Sequence, residues 1–354
     1  MENLILNNEK TNIIFFKDSY EILYFLNEVK PKKIMLITDN ILSDIYFNKT
    51  LELLKNTDIS LFTHIVKSGE KHKNIDNVLK IIEALYKNDF SRSDYIIALG
   101  GGVLCDMVSL TASLYMRGMK LILVPTTLLA MVDAAIGGKN AVNSKYGKNL
   151  IGNFYYADNI LIYKGFLKSL NNIDISLGIA EIIKYACISG EYIIGLLKES
   201  IIIKSENFII DYNKIDILLK ECIKIKLKIV QDDLYDKGIR NILNLGHTIG
   251  HSIEKKSDFS IPHGEAVAMG LSFIGKLCLD KKTLNSKSYE ILIECLKYYM
   301  LKTEMPFEIK DLIPYILKDK KNNNEKQTLI LFEDFGKCRI EKIDKSLLYE
   351  YLTE

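Results

Sequence analysis

The sequence predicts two domains of different class, a parallel-sheet α/β domain followed by a mainly α-helical one. Three observations carry that prediction. Short, continuously apolar β-rich runs alternate with helical segments through the first half, the mark of a parallel sheet covered on both faces. After Ile162 the texture changes to long stretches with helical apolar spacing. The length, 354 residues, is about two domains at roughly 150 residues each.

Taken in order, Ile34–Thr38 reads as a strand ending in the polar pair Asp39-Asn40. Leu61–Val66 is a second strand, followed by the loop Ser68–Lys73, and Val78–Tyr86 has the spacing of a helix. Tyr95–Leu99 reads as a buried strand running into Gly100-Gly101-Gly102, and Leu121–Val124 as another, closed by Pro125. In the second half Ile175, Ile179, Ile182, Ile183 and Ala186 fit one helix face, and further helices are expected over Glu206–Lys228, Gly264–Asp280 and Ser288–Tyr299. Leu329–Phe332 and Cys338–Ile343 are expected to pair as a hairpin around Asp334–Lys337, and Asn322–Asn324 reads as a surface loop. The boundary is placed at residue 165, giving domains 1–165 and 166–354.

Composition narrows the function classes. Hydrophobic residues at 48% and charged residues at 26% exclude a disordered, collagen-like or coiled-coil chain. Basic and acidic side chains nearly cancel, at 47 against 45, so nothing points to nucleic acid or an anionic membrane as partner. The six cysteines are scattered without a CxxC pair, which argues against both a disulfide scaffold and a thiolate zinc site. Neither a signal peptide nor an apolar run of about 20 residues is visible, and the protein reads as cytoplasmic.

Three constellations carry chemistry. Gly100-Gly101-Gly102 lies between a strand and a helix beginning near Val103, which places backbone amides and a helix N-terminus at the carboxyl edge of a parallel sheet. Such a site suits a pyrophosphate, although a tight structural turn would use the same glycines. Pro125-Thr126-Thr127 adds hydroxyls at the same edge. The second constellation is histidine. Of only five in the chain, His247, His251 and His263 fall within seventeen residues. His247 and His251 are one helical turn apart, and His263 opens the next helix after Pro262. Catalytic zinc takes three protein ligands, frequently two His and one carboxylate. Glu181 is the candidate carboxylate, with Lys184 one turn away in an otherwise apolar helix where an acid and a lysine need a reason. A basic group (Arg117, Lys139, Lys148, Lys226, Arg240) is either solvated surface or the receptor for phosphate and carboxylate.

With these residues in order, a resemblance is plain. Gly100-Gly-Gly-Val103 with Asp106, Pro125-Thr-Thr-Leu-Leu-Ala130 with Asp133, Gly137-Gly-Lys139 with Asn143, Gly147-Lys-Asn149, Ala180-Glu-Ile-Ile-Lys-Tyr185, Leu243-Asn-Leu-Gly-His-Thr-Ile-Gly-His251 with Glu254, and His263-Gly-Glu-Ala-Val267 together resemble the 3-dehydroquinate synthase family of sugar-phosphate cyclases. The match spans nearly the whole chain. Departures are Cys105 for a usual glycine, Asn140 for Thr, Tyr155-Tyr156 for Gln-Pro and Leu177 for Ser, none of which removes a charged or metal-binding group.

The resemblance implies an N-terminal Rossmann-like NAD domain and a C-terminal α-helical domain for metal and substrate. It implies conversion of DAHP, a seven-carbon phosphorylated keto acid, to 3-dehydroquinate with loss of phosphate, NAD+ being required but returned unchanged. One divalent metal, zinc or cobalt, would be held by Glu181, His247 and His263. His251 would handle protons or phosphate, with Lys184 and Asp133 as hydroxyl partners. Lys139, Lys226, Arg240 and Asn244 would hold carboxylate and phosphate, and Lys320 or Lys321 would close over the site. Arg117 would reach the neighbouring subunit's phosphate, which implies a homodimer. The cofactor would lie on Asp39, Glu70, Lys73, Gly101, Gly102, Val103, Asp106, Thr126, Thr127, Lys139, Lys148 and Asn149, with Phe166 and Ser169 near the domain junction. Rival readings are another sugar-phosphate cyclase, a metal-dependent NAD polyol dehydrogenase, and a non-catalytic binding protein.

Overall fold

The computed structural model describes residues 2–5, 11–18, 21–47, 59–317 and 325–353. Lys320, Lys321 and Asn322–Asn324 lie outside the described residues. The chain divides into two compact units, Met1–Leu170 and Asn171–Glu354.

In chain order, the strands described in the first unit are β1 (Glu2–Ile5), β2 (Asn12–Phe16), β3 (Lys33–Asp39), β4 (Ser60–Val66), β5 (Tyr95–Gly100), β6 (Lys120–Pro125), β7 (Lys139–Ser144), β8 (Gly147–Phe154) and β9 (Asn159–Tyr163). Seven of them form one sheet in the order β1-β2-β9-β6-β5-β3-β4, parallel except for β1 against β2. The interior strand β5 is buried along its whole length, as continuous apolar runs require when helices cover both faces. Register aligns the strand ends that matter. Thr38 pairs with Leu99 and Gly100 with Pro125, so Asp39, the glycine turn and Thr126 all follow the carboxyl edge of neighbouring strands. Strands β1, β2 and β9 and the antiparallel hairpin β7–β8 extend what the sequence reading anticipated.

The second unit is mainly helical, with helices Asn172–Ser189, Tyr192–Ser200, Ile215–Asp232, His247–Lys256, His263–Asp280, Ser286–Tyr298 and Ile309–Leu317. The helix expected over Glu206–Lys228 begins nine residues later. Residues 206–214 are not helical: Ile201–Lys204 pairs with Asn207–Ile210 across Ser205 and Glu206, both left-handed at φ of 50° and 62°, and the helix starts only at Ile215. The β-branched run prefers a pleated, half-buried surface, and the two-residue left-handed turn matches the twist of a hairpin. Lys326–Asp334 and Lys337–Asp344 pair antiparallel, as anticipated. Among the described residues no helix is long and apolar enough to cross a membrane.

Glycine sets how closely the histidine-bearing helices approach. A Cβ on Gly270 would collide with the Gly246 carbonyl, just before His247. One on Gly264 would lie 2.5 Å from the Cα and O of Leu177, on the helix that carries Glu181.

Candidate active site

In the first unit, the helix Gly102–Leu114 starts directly after β5, with Gly101 extended at its N-cap. Its first amides and its dipole therefore meet solvent at the carboxyl edge of the sheet, an arrangement that favours a negatively charged group. A Cβ on Gly102 would come within 2.9 Å of the Ala134 side chain, so packing alone already demands glycine there. Thr127 accepts from the Ala130 amide at 3.2 Å and thereby caps its own turn. Thr126 differs: its hydroxyl is buried with no hydrogen-bond partner among the described residues, as an absent polar ligand would leave it.

The predicted cofactor residues Glu70, Lys73, Asp106, Lys148 and Asn149 come together in one polar network. Buried Lys73 donates to Asp106 at 2.5 Å and to Asn149 Oδ1 at 2.7 Å. Lys148 sits 3.5 Å from Glu70. Asn143, which the sequence reading left without a role, joins the pieces: its side-chain Nδ2 donates to Glu70 at 2.8 Å, and its Oδ1 accepts the Asn149 backbone amide at 2.9 Å. Asp39 spends one oxygen on the amides of Ile41 and Leu42. Phe166 is buried edge-on to Tyr163, and Ser169 donates back to the Phe166 carbonyl. Val103 is half-buried at the start of its helix. Asp106, Gly137, Gly138 and Lys139 line one small cavity, with Lys139 itself exposed, while Asp133 lies half-buried in the turn Ala130–Ala134.

The departures from the family pattern are structural. Cys105 is buried, its Sγ on the Gly100 carbonyl, and burial pushes its thiol pKa far up, so it is an inert packing group. Asn140 donates to the carbonyls of Gly138 and Tyr155. Tyr155 Oη donates to the Met119 carbonyl at 2.6 Å, beside the left-handed pair Met116 and Arg117, and leaves Arg117 exposed.

In the second unit, the helix Asn172–Ser189 carries Glu181, fully buried and ion-paired with equally buried Lys184. Its other oxygen, Oε1, lies 3.4 Å from His247 Nε2 and 3.4 Å from His263 Nε2. Metal–ligand bonds of about 2.0–2.1 Å in tetrahedral geometry put donor atoms roughly 3.3–3.4 Å apart, the spacing of Glu181 Oε1 from each imidazole nitrogen, and all three donors lie within 4.8 Å of one another. The carbonyl of Leu245 holds His247 Nδ1 at 3.0 Å, and Glu254 Oε2 stands 3.2 Å from His263 Nδ1. Each ring therefore turns Nε2 toward Glu181. His251 lies beside this set, its ring centre 5.4 Å from that of His247 and 5.9 Å from that of His263. His251 and Glu254 also form a second possible donor group with His263.

Two of the three groups are held in the form that binds a metal, whereas His263 carries a proton that an arriving ion would have to displace. Burial would raise the Glu181 pKa, but the charges of Lys184 and His247 and the histidine hydrogen bonds hold it well below the usual carboxylate range. Burial lowers His247 despite Glu181, favouring the neutral, ligating ring. Burial also opposes charge on His263, yet the nearby Glu254 and its bonds to both carboxylates lift it to about 10. Lys226 is buried on the helix Ile215–Asp232. Arg240 is buried too, donating to the Leu234 carbonyl at 2.9 Å, and Asn244 ends the same short 3₁₀ segment, three residues before His247.

Residues 63–176 match the family model for the 3-dehydroquinate synthase N-terminal region, and residues 178–322 match that for its C-terminal region. The 3-dehydroquinate synthase of Pyrococcus abyssi is 39% identical over 97% of this chain and 99% of its own length. That of Pyrococcus furiosus is 37% identical over 96% and 98%. Among solved structures, a 2-deoxy-scyllo-inosose synthase complexed with carbaglucose-6-phosphate, NAD+ and Co2+ superposes with a TM-score of 0.86 at 21% identity, covering 99% of this chain and 98% of that one. A 2-epi-5-epi-valiolone synthase from Streptomyces hygroscopicus with NAD+ and Zn2+ bound gives 0.87 at 21% identity, with the same coverage. At that identity the structural likeness speaks for the fold. The two family models together span most of the chain, and the chain belongs to the 3-dehydroquinate synthase family.

Proposed function

We propose that this chain converts DAHP to 3-dehydroquinate and phosphate, using NAD+ and one divalent metal ion, zinc or cobalt. The observation that carries the reading is the buried Glu181 flanked at equal distance by the Nε2 atoms of His247 and His263. The metal, when bound, polarises substrate hydroxyls and lowers their pKa. NAD+, when bound, supplies reversible oxidation at one carbon and ends each turnover as it began.

The chain's own residues do the rest. Lys184 takes one oxygen of Glu181, which leaves the other for the metal. His251, next to the ligands but outside their set, holds or moves a proton at its imidazole. Lys184 and Asp133 serve as hydroxyl partners. Lys139, Lys226, Arg240 and Asn244 bind the carboxylate and phosphate of the substrate, with Lys320 or Lys321 closing over it. Gly101, Gly102 and Val103 offer amides to the NAD+ pyrophosphate, and the network of Glu70, Lys73, Asp106, Lys148 and Asn149 orients the rest of the cofactor, with Asp39, Thr126, Thr127, Lys139, Phe166 and Ser169 around it. The first unit is thus the NAD-binding domain and the second the metal- and substrate-binding domain. Loss of phosphate breaks a carbon–oxygen bond, so the activity is that of a carbon–oxygen lyase. Arg117, exposed on a left-handed turn, is assigned to the phosphate site of a second copy in a cytoplasmic homodimer.

The test is incubation with DAHP and catalytic NAD+ while phosphate and NADH are followed. Phosphate release without net NADH supports the synthase. Net NADH would make the protein a dehydrogenase, and no turnover of DAHP would point to another cyclase or a binding protein.

A further inference from the structure

We propose that Glu254 is a positioning residue for the metal site: from within the core it accepts the Nδ1 proton of His263 and so presents Nε2 of that ring to Glu181. The inference rests on the ligand set of the proposed function and assigns a role to a residue outside it.

Glu254 lies on the helix His247–Lys256, seven residues after His247, so both sit on one helix face two turns apart. Its side chain is buried, and Oε2 stands 3.2 Å from His263 Nδ1. The intervening segment is held to the same helix end, since Ser257 Oγ and the Phe259 amide both donate to the Glu254 carbonyl at 3.0 and 2.8 Å. One helix therefore supplies one ligand directly, His247, and orients a second, His263, through Glu254. A neutral imidazole has one donor and one acceptor nitrogen. A carboxylate beside Nδ1 fixes the proton there and leaves the Nε2 lone pair for a metal. His247 is locked in the same sense by the Leu245 carbonyl. Both rings of the Glu181 set thus have their second nitrogen engaged, which favours this set over the alternative of His251, Glu254 and His263, where Glu254 would itself be a ligand.

The test is Co2+ binding to the metal-free full-length protein, measured by competition with a chromophoric chelator. Glu254→Gln and Glu254→Asp, which withdraws the oxygen by one carbon, should each bind Co2+ about 10- to 100-fold more weakly, as loss of an outer partner typically does. In the zinc form, 15N spectra of histidine should show the Nδ1–H of His263 shifted by a carboxylate partner in the wild type, and that resonance should move toward the position of a neutral acceptor in the Gln variant. Wild-type affinity in either folded variant overturns the inference. Should Glu181→Gln also lose the metal in that case, the ligand set survives and only the role of Glu254 falls. Loss of all binding in Glu254→Gln with binding kept in Glu181→Gln would make Glu254 a ligand, and both assignments would fail.

Discussion

Adding one methyl group at Gly264 tests whether helix approach sets the spacing of the ligands. The new Cβ would lie 2.5 Å from backbone atoms of Leu177, where ordinary contact begins at 3.4 Å, so the two helices must part by roughly 0.9 Å. Neither partner atom is the end of a flexible side chain, and backbone has nowhere to fold away. Two energies compete. Alanine is the better helix former by about 0.5–1 kcal/mol, while overpacking a close contact costs about 1–3 kcal/mol. Overpacking should win, and the metal-free protein should melt a few degrees lower. The larger effect falls on the metal. Leu177 precedes Glu181 by one turn and Gly264 follows His263 directly, so the displacement passes to the 3.4 Å pair of Glu181 and His263. Metal sites tolerate about 0.2 Å. Gly264→Ala should therefore lower Co2+ affinity at least tenfold, read by chelator competition beside thermal unfolding. Wild-type affinity together with wild-type melting would show that the spacing is set elsewhere.

His247→Ala, His263→Ala and Glu181→Gln should each abolish tightly bound metal along with turnover, since each removes one of only three proposed protein ligands, and stoichiometric metal by elemental analysis in any of them would remove that residue from the set. His251→Ala should keep metal and NAD+ but lose about 10²–10⁴-fold in rate, whereas metal lost in step with activity would make His251 a ligand. Asp233 titrates below its usual value: partial burial acts in the opposite direction, but the amides of Lys237, Gly238 and Arg240 all donate to its carboxylate. Its folded pKa being depressed, the stability it contributes is present above an unfolded value of about 3.9 and is lost as pH falls through the folded one. Asp233→Asn should flatten acid unfolding in that window and, by loosening the segment that carries Arg240, raise the KM for DAHP while NAD+ affinity stays unchanged. An unaltered acid limb would refute it.

Much of the sheet was legible because β3, β5 and β6 are continuous apolar runs closed by Asp39, glycine or Pro125. Asn12–Phe16 and Asn159–Tyr163 are just as apolar, yet runs of five residues without alternation look the same in a strand and in a buried helical turn. The hairpin of Ile201–Ile210 was hidden because its turn uses Ser205 and Glu206 in place of the usual Gly or Asn. At the site, His247 and His251 betrayed themselves by one-turn spacing, and Glu181 by sitting among apolar neighbours. The contact of Glu254 with His263 spans nine residues around a proline turn, and that of Asn143 with Glu70 spans 73. No local periodicity reports such pairs.

The buried ion pair of Lys184 and Glu181 bears on how the protein matures. In small zinc domains the ligands cannot be buried together until the ion neutralises them, so the apo chain stays unfolded. Here the carboxylate has its own cation within the same helix, and the surrounding core is apolar and closely packed. With the carboxylate already neutralised, folding would not have to wait for the proposed ion, and loading could follow it. A chelator should silence such a protein without unfolding it, and the ion it carries should follow what is on offer around the finished fold rather than at the ribosome.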